Sequence, residues 1–355
     1  MPKNPTQVLM LSPIKSKHWA EIMRQHMPNR HFDEIPLDVC DAGPVGKVMA
    51  PWRVWRRILQ ADVVVSSDAH IALGTAVLLY LFARRKPHVA LTFNLVNRSR
   101  FHPALDWLAR IVLRSVTLFV TPSDHEREVF AQTYHLDMRR FAFEHWGGLP
   151  PEVAALSLPP QSIAADRPYF CAIGRNNRDF ELFAKAFEGA PYRGVIITMK
   201  RYFDGVAIPD NVDVYYDLDQ IECLRVIRHS LANVIPLKSD RIGAGHITMV
   251  FAMHLGKPQI VTALPAIADY FIAGQHGLGV KPGDVAGLRS AMDEIYQQPE
   301  RAAQMGEAAR QYAQRWLTGK GHFPLMIDIL DAIEQGKPLP DAQRGWREWQ
   351  QGNRA

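Results

Sequence analysis

Cysteine is almost missing from this chain. Cys40, Cys171 and Cys223 are its three among 355 residues, odd in number, far apart and without a CxxC pair. A disulfide framework and a structural zinc site are therefore not expected, which fits a reducing, cytoplasmic setting. Long apolar runs are also missing. The longest, Ile71 to Ala83, has 13 residues, short of the roughly 20 that a spanning helix needs, so it reads as a buried helix. Met1 to Gln7 lacks the charged-then-apolar pattern of a secretory signal, and secretion is not expected. The histidines show no metal-ligand spacing, so no metal is expected. No nucleic-acid-binding module is present, and no nucleic-acid partner is expected.

What is present describes an ordinary globular protein: 47% hydrophobic and 22% charged, with a formal net charge of +5. The length suits two domains. The positive charge is uneven. Residues 1–160 hold 19 basic and 14 acidic side chains, whereas residues 161–355 balance at 22 each. From Gly43 to Pro122 there are 11 basic residues against Asp62, Asp68 and Asp106. Such a field favours an anionic partner for the first half, unless it is merely a solvated surface. His102 to Arg114 carries apolar side chains with Arg110 and Arg114, and Trp52 and Trp55 stand beside Arg53, Arg56 and Arg57. That composition fits an anionic membrane surface or a lipid-linked acceptor; a core-facing helix with a charged outer face is the plainer reading.

Short continuous apolar runs alternate with helical stretches in both halves. Val8–Leu11, Asp62–Val65, Val89–Thr92 and Thr117–Val120 read as strands in the first, and Tyr169–Ile173, Gly194–Met199, Val212–Tyr216, Ala232–Pro236 and Gln259–Thr262 in the second. Continuous apolar strands separated by helices predict parallel sheets covered on both faces. The fold class is thus α/β, with two doubly wound Rossmann-like domains: residues 1–150, a proline-rich linker over 151–166, and residues 167–317. Helices over 318–355 lie beyond the second sheet and could pack back on the N-terminal domain.

The most informative segment runs from Ser239 to Pro258. An apolar strand precedes it, and Gly243-Ala244-Gly245 opens a helix that begins at His246 and Ile247. Small residues let a ligand approach the backbone, and the free N–H groups of a helix start favour an anion such as a diphosphate. Ala252-Met253-His254-Leu255-Gly256-Lys257-Pro258 follows, then Asp269, Gly274 and Gly277-Leu278-Gly279-Val280-Lys281-Pro282-Gly283-Asp284. Upstream, a strand ends in Gly174-Arg175. In these motifs the chain resembles the family 4 glycosyltransferases, closely from about Tyr169 to Arg315 and more weakly before.

The resemblance implies a GT-B fold with its two domains facing a central cleft, a nucleotide-diphosphate sugar as co-substrate and no metal. It implies transfer to a glycan, lipid-linked or small-molecule acceptor with retention of configuration. Arg175 would contact the donor diphosphate, together with Gly174, Gly243, Ala244, Gly245, His246 and Ile247. The lysine that many members place five residues after that arginine is Phe180 here, so Arg178 would supply the second charge or else lie on the surface. Two family glutamates fall at Gly243 and Phe251, leaving Asp240 or Asp269 to hold the sugar or ribose. Asn94 stands where the family has an N-domain histidine, and His246 could donate to a phosphate oxygen or the leaving group. Asp217-Leu218-Asp219 has the form of a metal-binding motif of another glycosyltransferase fold, but it joins a strand to a helix and reads as a cap. A GT-B epimerase and a non-catalytic partner protein are the alternatives.

Overall fold

The computed structural model describes residues 6–13, 19–39, 42–95, 103–150, 156–163, 167–203, 205–238, 243–318, 322–339 and 344–353. It divides into two compact units: Met1–Glu144 together with Gly321–Ala355, and His145–Lys320.

Unit 1 runs β1 (Thr6–Ser12), α1 (Trp19–His26), β2 (Arg30–Pro36), α2 (Pro44–Met49), a 3-10 turn (Ala50–Val54), α3 (Trp55–Gln60), β3 (Val63–Ser66), α4 (Ala69–Leu81), β4 (His88–Ala90), α5 (Pro103–Leu113), β5 (Leu118–Thr121), α6 (Asp124–Tyr134) and β6 (Phe141–Phe143). Its strands are all parallel, in the order β2-β1-β3-β4-β5-β6. Every residue of β3, β4, β5 and β6 is buried. That explains why they read as unbroken apolar runs rather than alternating ones. Two strands escaped the sequence reading. β2 is the edge strand Arg30-His31-Phe32-Asp33-Glu34-Ile35-Pro36, with only Phe32 buried, and β6 is three residues long.

Unit 2 runs β7 (Tyr169–Ile173), α7 (Phe180–Ala186), β8 (Arg193–Thr198), β9 (Val212–Tyr216), α8 (Gln220–His229), β10 (Asn233–Ile235), α9 (His246–His254), β11 (Gln259–Thr262), β12 (Gly277–Val280), α10 (Val285–Gln297) and α11 (Pro299–Trp316). Its parallel sheet has the order β12-β11-β10-β7-β8-β9. The first strand in sequence, β7, therefore lies beside the fourth, β10, and the chain winds outward from that pair in both directions. Most helices here start on a side-chain cap: Asp179 accepts from Leu182 N, Asp219 from Glu222 N and Asp284 from Gly287 N, at 2.8–3.0 Å. Each such cap is worth about 1 kcal/mol.

The chain passes between the units at Glu144–His145 and again near Lys320. The described part of the proline-rich stretch is packed into unit 2. Leu156 and Ile163 enter its core, the N–H groups of Gln161 and Ser162 donate to Glu222, and His229 Nε2 donates to the Leu158 carbonyl at 3.1 Å. After unit 2 come α12 (His322–Gln335) and α13 (Arg344–Asn353), which belong to unit 1. Leu325, Met326, Ile329 and Leu330 recur at helical spacing and bury against Val8, Met23 and Phe32. Arg30 forks to Asp331 and Glu334, each at 2.7 Å, and Arg347 to Asp124.

Candidate functional site in unit 2

In a doubly wound sheet, ligands gather outside the strand C-termini where the strand order reverses. In unit 2 that point lies between β7 and β10. The chain leaves β7 through Gly174, whose φ of +143° is open to glycine. It leaves β10 toward Gly245, which caps α9 with φ +96° and no side-chain acceptor.

The two turns are stitched together. Arg178 forms an antiparallel bridge with Leu237, Asp179 N donates to the Pro236 carbonyl, and Lys238 N donates to the Asn177 carbonyl. Beneath them lies the Arg178 side chain, 7% exposed. Its Nε and Nη2 donate to the Ile173 carbonyl at 3.3 and 3.2 Å, and its Nη1 to the Asn176 carbonyl at 3.1 Å. A Cβ on Gly174 would meet this guanidinium at 2.6 Å; one on Gly245 would meet Ile235 at 2.7 Å and the guanidinium at 3.6 Å. Both glycines are thus required by close approach as well as by φ. Among the described residues no carboxylate pairs with Arg178, and burial lowers its pKa to about 10. It remains charged at neutral pH. A cation and an uncapped helix start therefore share one corner of the fold, and both favour an anion.

The remaining candidates divide. Arg175 is exposed just past Gly174, its Nη1 3.2 Å from Met199 Sδ. Ile247 is exposed in the first turn of α9, and Ala244 is buried. Arg178 is not a surface residue, as one of the two sequence expectations had it: it is buried, and three of its five N–H groups donate to carbonyls within its own turn. The His246 ring turns inward. Its Nε2 donates to the Ala266 carbonyl at 2.9 Å, and it stacks on Tyr270 at 4.3 Å. Burial lowers its pKa to about 4, with the Arg178 charge adding to the effect. What His246 offers at the helix start is its backbone N–H, not a protonated imidazole. Asp240 lies outside the described residues. Asp269 is half-buried, and its carbonyl accepts from His145 Nε2 at 2.8 Å and Tyr312 OH at 2.9 Å. Asn94 follows β4 in unit 1 and is half-buried. Asp219 caps α8, and among the described residues no cluster of three or more His, Cys, Asp or Glu could hold a metal.

One supporting layer gave no signal in the sequence. Tyr270 lies between His246 and His145, with its hydroxyl accepting from Trp146 N at 2.6 Å. These residues are scattered along the chain, and no spacing announces them.

Residues 198–312 match the model of the glycosyl transferases group 1. Among solved structures, HepE of Anabaena in complex with UDP-glucose is similar over 92% of this chain and 100% of its own, with a TM-score of 0.70 at 11% identity. The sucrose-phosphate synthase of Thermosynechococcus elongatus is similar over 93% and 100%, with a TM-score of 0.67 at 13% identity. This is the GT-B fold. Among curated proteins, glycogen synthase of Mycobacterium tuberculosis is 30% identical over 94 residues, 26% of this chain. The chain spans about a fifth of that relative, 22% of its length. The segment matched by the family model contains α9 with β10 and β11, the C-terminal half of the corner described above, whereas Gly174 and Arg178 precede it.

Proposed function

We propose that the protein is a glycosyltransferase that takes a sugar from a nucleotide-diphosphate carrier. The observation that carries this reading is the corner at Gly174, Arg178 and Gly245, where a helix start without a cap and a buried guanidinium without a carboxylate both await negative charge. A diphosphate supplies it. Arg175 extends from the same turn as a flexible, exposed partner for the outer phosphate oxygens. HepE has been seen with UDP and with UDP-glucose, which supports a nucleotide-sugar donor for this chain as well.

In this reading, neutralising the leaving phosphate is the main catalytic contribution. The acceptor is a glycan, a lipid-linked sugar or a small molecule, and transfer proceeds with retention, the leaving phosphate taking the acceptor proton. No metal takes part. The chemistry belongs on the cytoplasmic side, where nucleotide sugars are at hand.

A second reading has one observation in its favour. Phe251, at the place of a family glutamate, is 9% exposed and packs edge-on against Trp146 at 5.5 Å. No carboxylate can hold the donor from there, which favours a partner protein that does not turn the donor over. A thermal-shift screen against UDP, GDP and ADP, followed by a donor-turnover assay, separates the readings. Stabilisation by one nucleotide is expected, because a ligand of the native state raises its stability by mass action. Turnover with an acceptor supports transfer, epimer formation supports an epimerase, and binding alone supports the partner reading. No stabilisation by any of the three removes the diphosphate from this corner.

A further inference from the structure

Unit 1 holds a cavity of about 660 Å³ beside β6, the strand at one edge of its sheet. Sites for small organic molecules span roughly 300–1,000 Å³. Three stretches of chain wall this one. Arg127 comes from α6, and Met138, Arg139 and Phe141 from a 3-10 turn (Met138–Arg140) and the start of β6. Lys337 and Leu339 come from the chain just past α12. The apolar side chains are recessed: Phe141 is buried, its ring stacked on Phe119 at 4.7 Å, and Met138 and Leu339 are half-buried. Arg139 and Lys337 stand exposed at the rim.

The charge around this cavity is positive in excess. Among the described residues no carboxylate lines it. Asp137 answers Arg139 with a contact of 2.6 Å. Asp124 is shared, taking Arg127 Nη1 at 2.9 Å and Arg347 Nη1 at 2.7 Å, so one carboxylate faces two guanidiniums. Arg127 Nε is buried and, among the described residues, donates to nothing. Lys337 has no carboxylate partner among them either. A buried donor left without an acceptor is costly, and an anion in the cavity relieves that cost.

We propose that this cavity binds a small soluble organic anion. Its apolar body lies against Phe141, Met138 and Leu339, and its phosphate or carboxylate head meets Arg127 and Lys337 through charge-assisted hydrogen bonds. A flat surface is a poor occupant, because the apolar side chains sit behind the charged ones and only a ligand that enters can reach them. All the walls belong to unit 1, and binding there needs neither sugar donor nor turnover. The inference therefore stands apart from the proposed function.

The test is titration calorimetry of the full chain with 1-naphthyl phosphate, and with inorganic phosphate and 1-naphthol as its two halves. The ester should bind about tenfold or more tightly than either half, since only it uses both the apolar walls and the cations. Its binding should weaken as salt rises. Lys337→Gln, at an exposed position, should weaken it about tenfold at an unchanged melting temperature, the loss of one charge-assisted hydrogen bond. Met138→Trp, which fills the cavity from a half-buried turn, should weaken it at least as much. Arg175→Ala, in unit 2, should leave it unaltered. The proposal is overturned by failure of the ester to bind, by either half binding as tightly as the ester, or by either cavity variant binding like the parent. Loss of binding in Arg175→Ala would overturn it too, by moving the anion to the corner at Gly174.

Discussion

The strand order of each sheet reverses once, and the two reversal points are finished in opposite ways. In unit 1 the reversal lies between β1 and β3. There, Asp68 caps α4 by accepting from His70 N and Ile71 N, and its other oxygen holds Lys47 at 3.0 Å. Burial alone would raise its pKa, but hydrogen bonds from His70 and the Lys47 charge outweigh that and hold the carboxyl well below its usual range. Ser12, at the end of β1, donates to Glu34 at 2.9 Å. In unit 2, among the described residues, no side chain caps α9, and the Arg178 guanidinium lies 3.6 Å from where a Cβ on Gly245 would sit. One corner carries its own anion, and the other, among the described residues, presents a cation and backbone amides.

The largest effect should come from closing the open corner. Gly245→Val forces a β-branched residue to a positive φ and sets its Cβ against Ile235, which should cost about 3 kcal/mol. The measurement is chemical denaturation with and without UDP. The stabilisation by nucleotide should vanish along with the lost stability. A variant that folds and still responds to nucleotide would detach the α9 start from the anion site. Arg178→Met comes next. It strips donors from the buried carbonyls of Ile173 and Asn176, for about 2 kcal/mol. Nucleotide affinity measured by calorimetry should fall about tenfold if the guanidinium supplies roughly 1.4 kcal/mol of attraction.

Acid should strike the two corners in different windows. The pKa of His246 is lowered from 6.5 to about 4, so above pH 6.5 the ring is neutral in both states and its contribution is intact. As pH falls from there toward about 4, the unfolded chain takes up a proton that the native ring refuses, and stability declines by about 2–3 kcal/mol. His276 titrates alike, its pKa lowered by burial to about 4. His246→Phe should therefore flatten part of the pH 6.5–4 slope in a denaturation series. Asp68 acts lower: its lowered pKa stabilises unit 1 above the ordinary carboxylate range, and that contribution is lost as pH falls through and below it. Asp68→Ala should cost about 1–2 kcal/mol at neutral pH and leave nucleotide binding unchanged. If it weakened nucleotide binding instead, the contrast between the corners would collapse.

The contrast was half legible in the sequence. Buried strands such as Val63–Ser66 and Tyr169–Ile173 declare themselves because both faces are covered, and Gly243 to Gly245 stands out because its small residues precede an apolar helix. The edge strand β2 does not, since its polar side chains are half solvated. β12 hid as well, because glycine fills two of its four positions. From the sequence, Arg178 was either a second charge for the diphosphate or a surface residue beside the Asp179 cap. Only the fold reveals that its guanidinium lies under Gly174, because burial is decided by where β10 delivers Leu237, some sixty residues later. His246 misled for the same reason. Its position in the helix start was visible, whereas the direction of its ring depends on Tyr270 and Ala266.

The smallest structural effect should accompany a large functional one, at Arg175. Its side chain is exposed, and its one contact of note is with the Met199 sulfur, a weak acceptor. Arg175→Ala should therefore change stability by no more than about 0.5 kcal/mol. Arg178, three residues on, is the reverse case, buried and with three of its five N–H groups bonded to the fold. If the exposed guanidinium grips the diphosphate, Arg175→Ala should weaken nucleotide binding at least tenfold, since a charge-assisted hydrogen bond contributes about 1.5–3 kcal/mol. Arg175→Lys should recover only part of that, because a lysine keeps the charge but loses the fork. A nucleotide response in Arg175→Ala equal to the parent's would leave the buried cation and the backbone amides to hold the anion unaided.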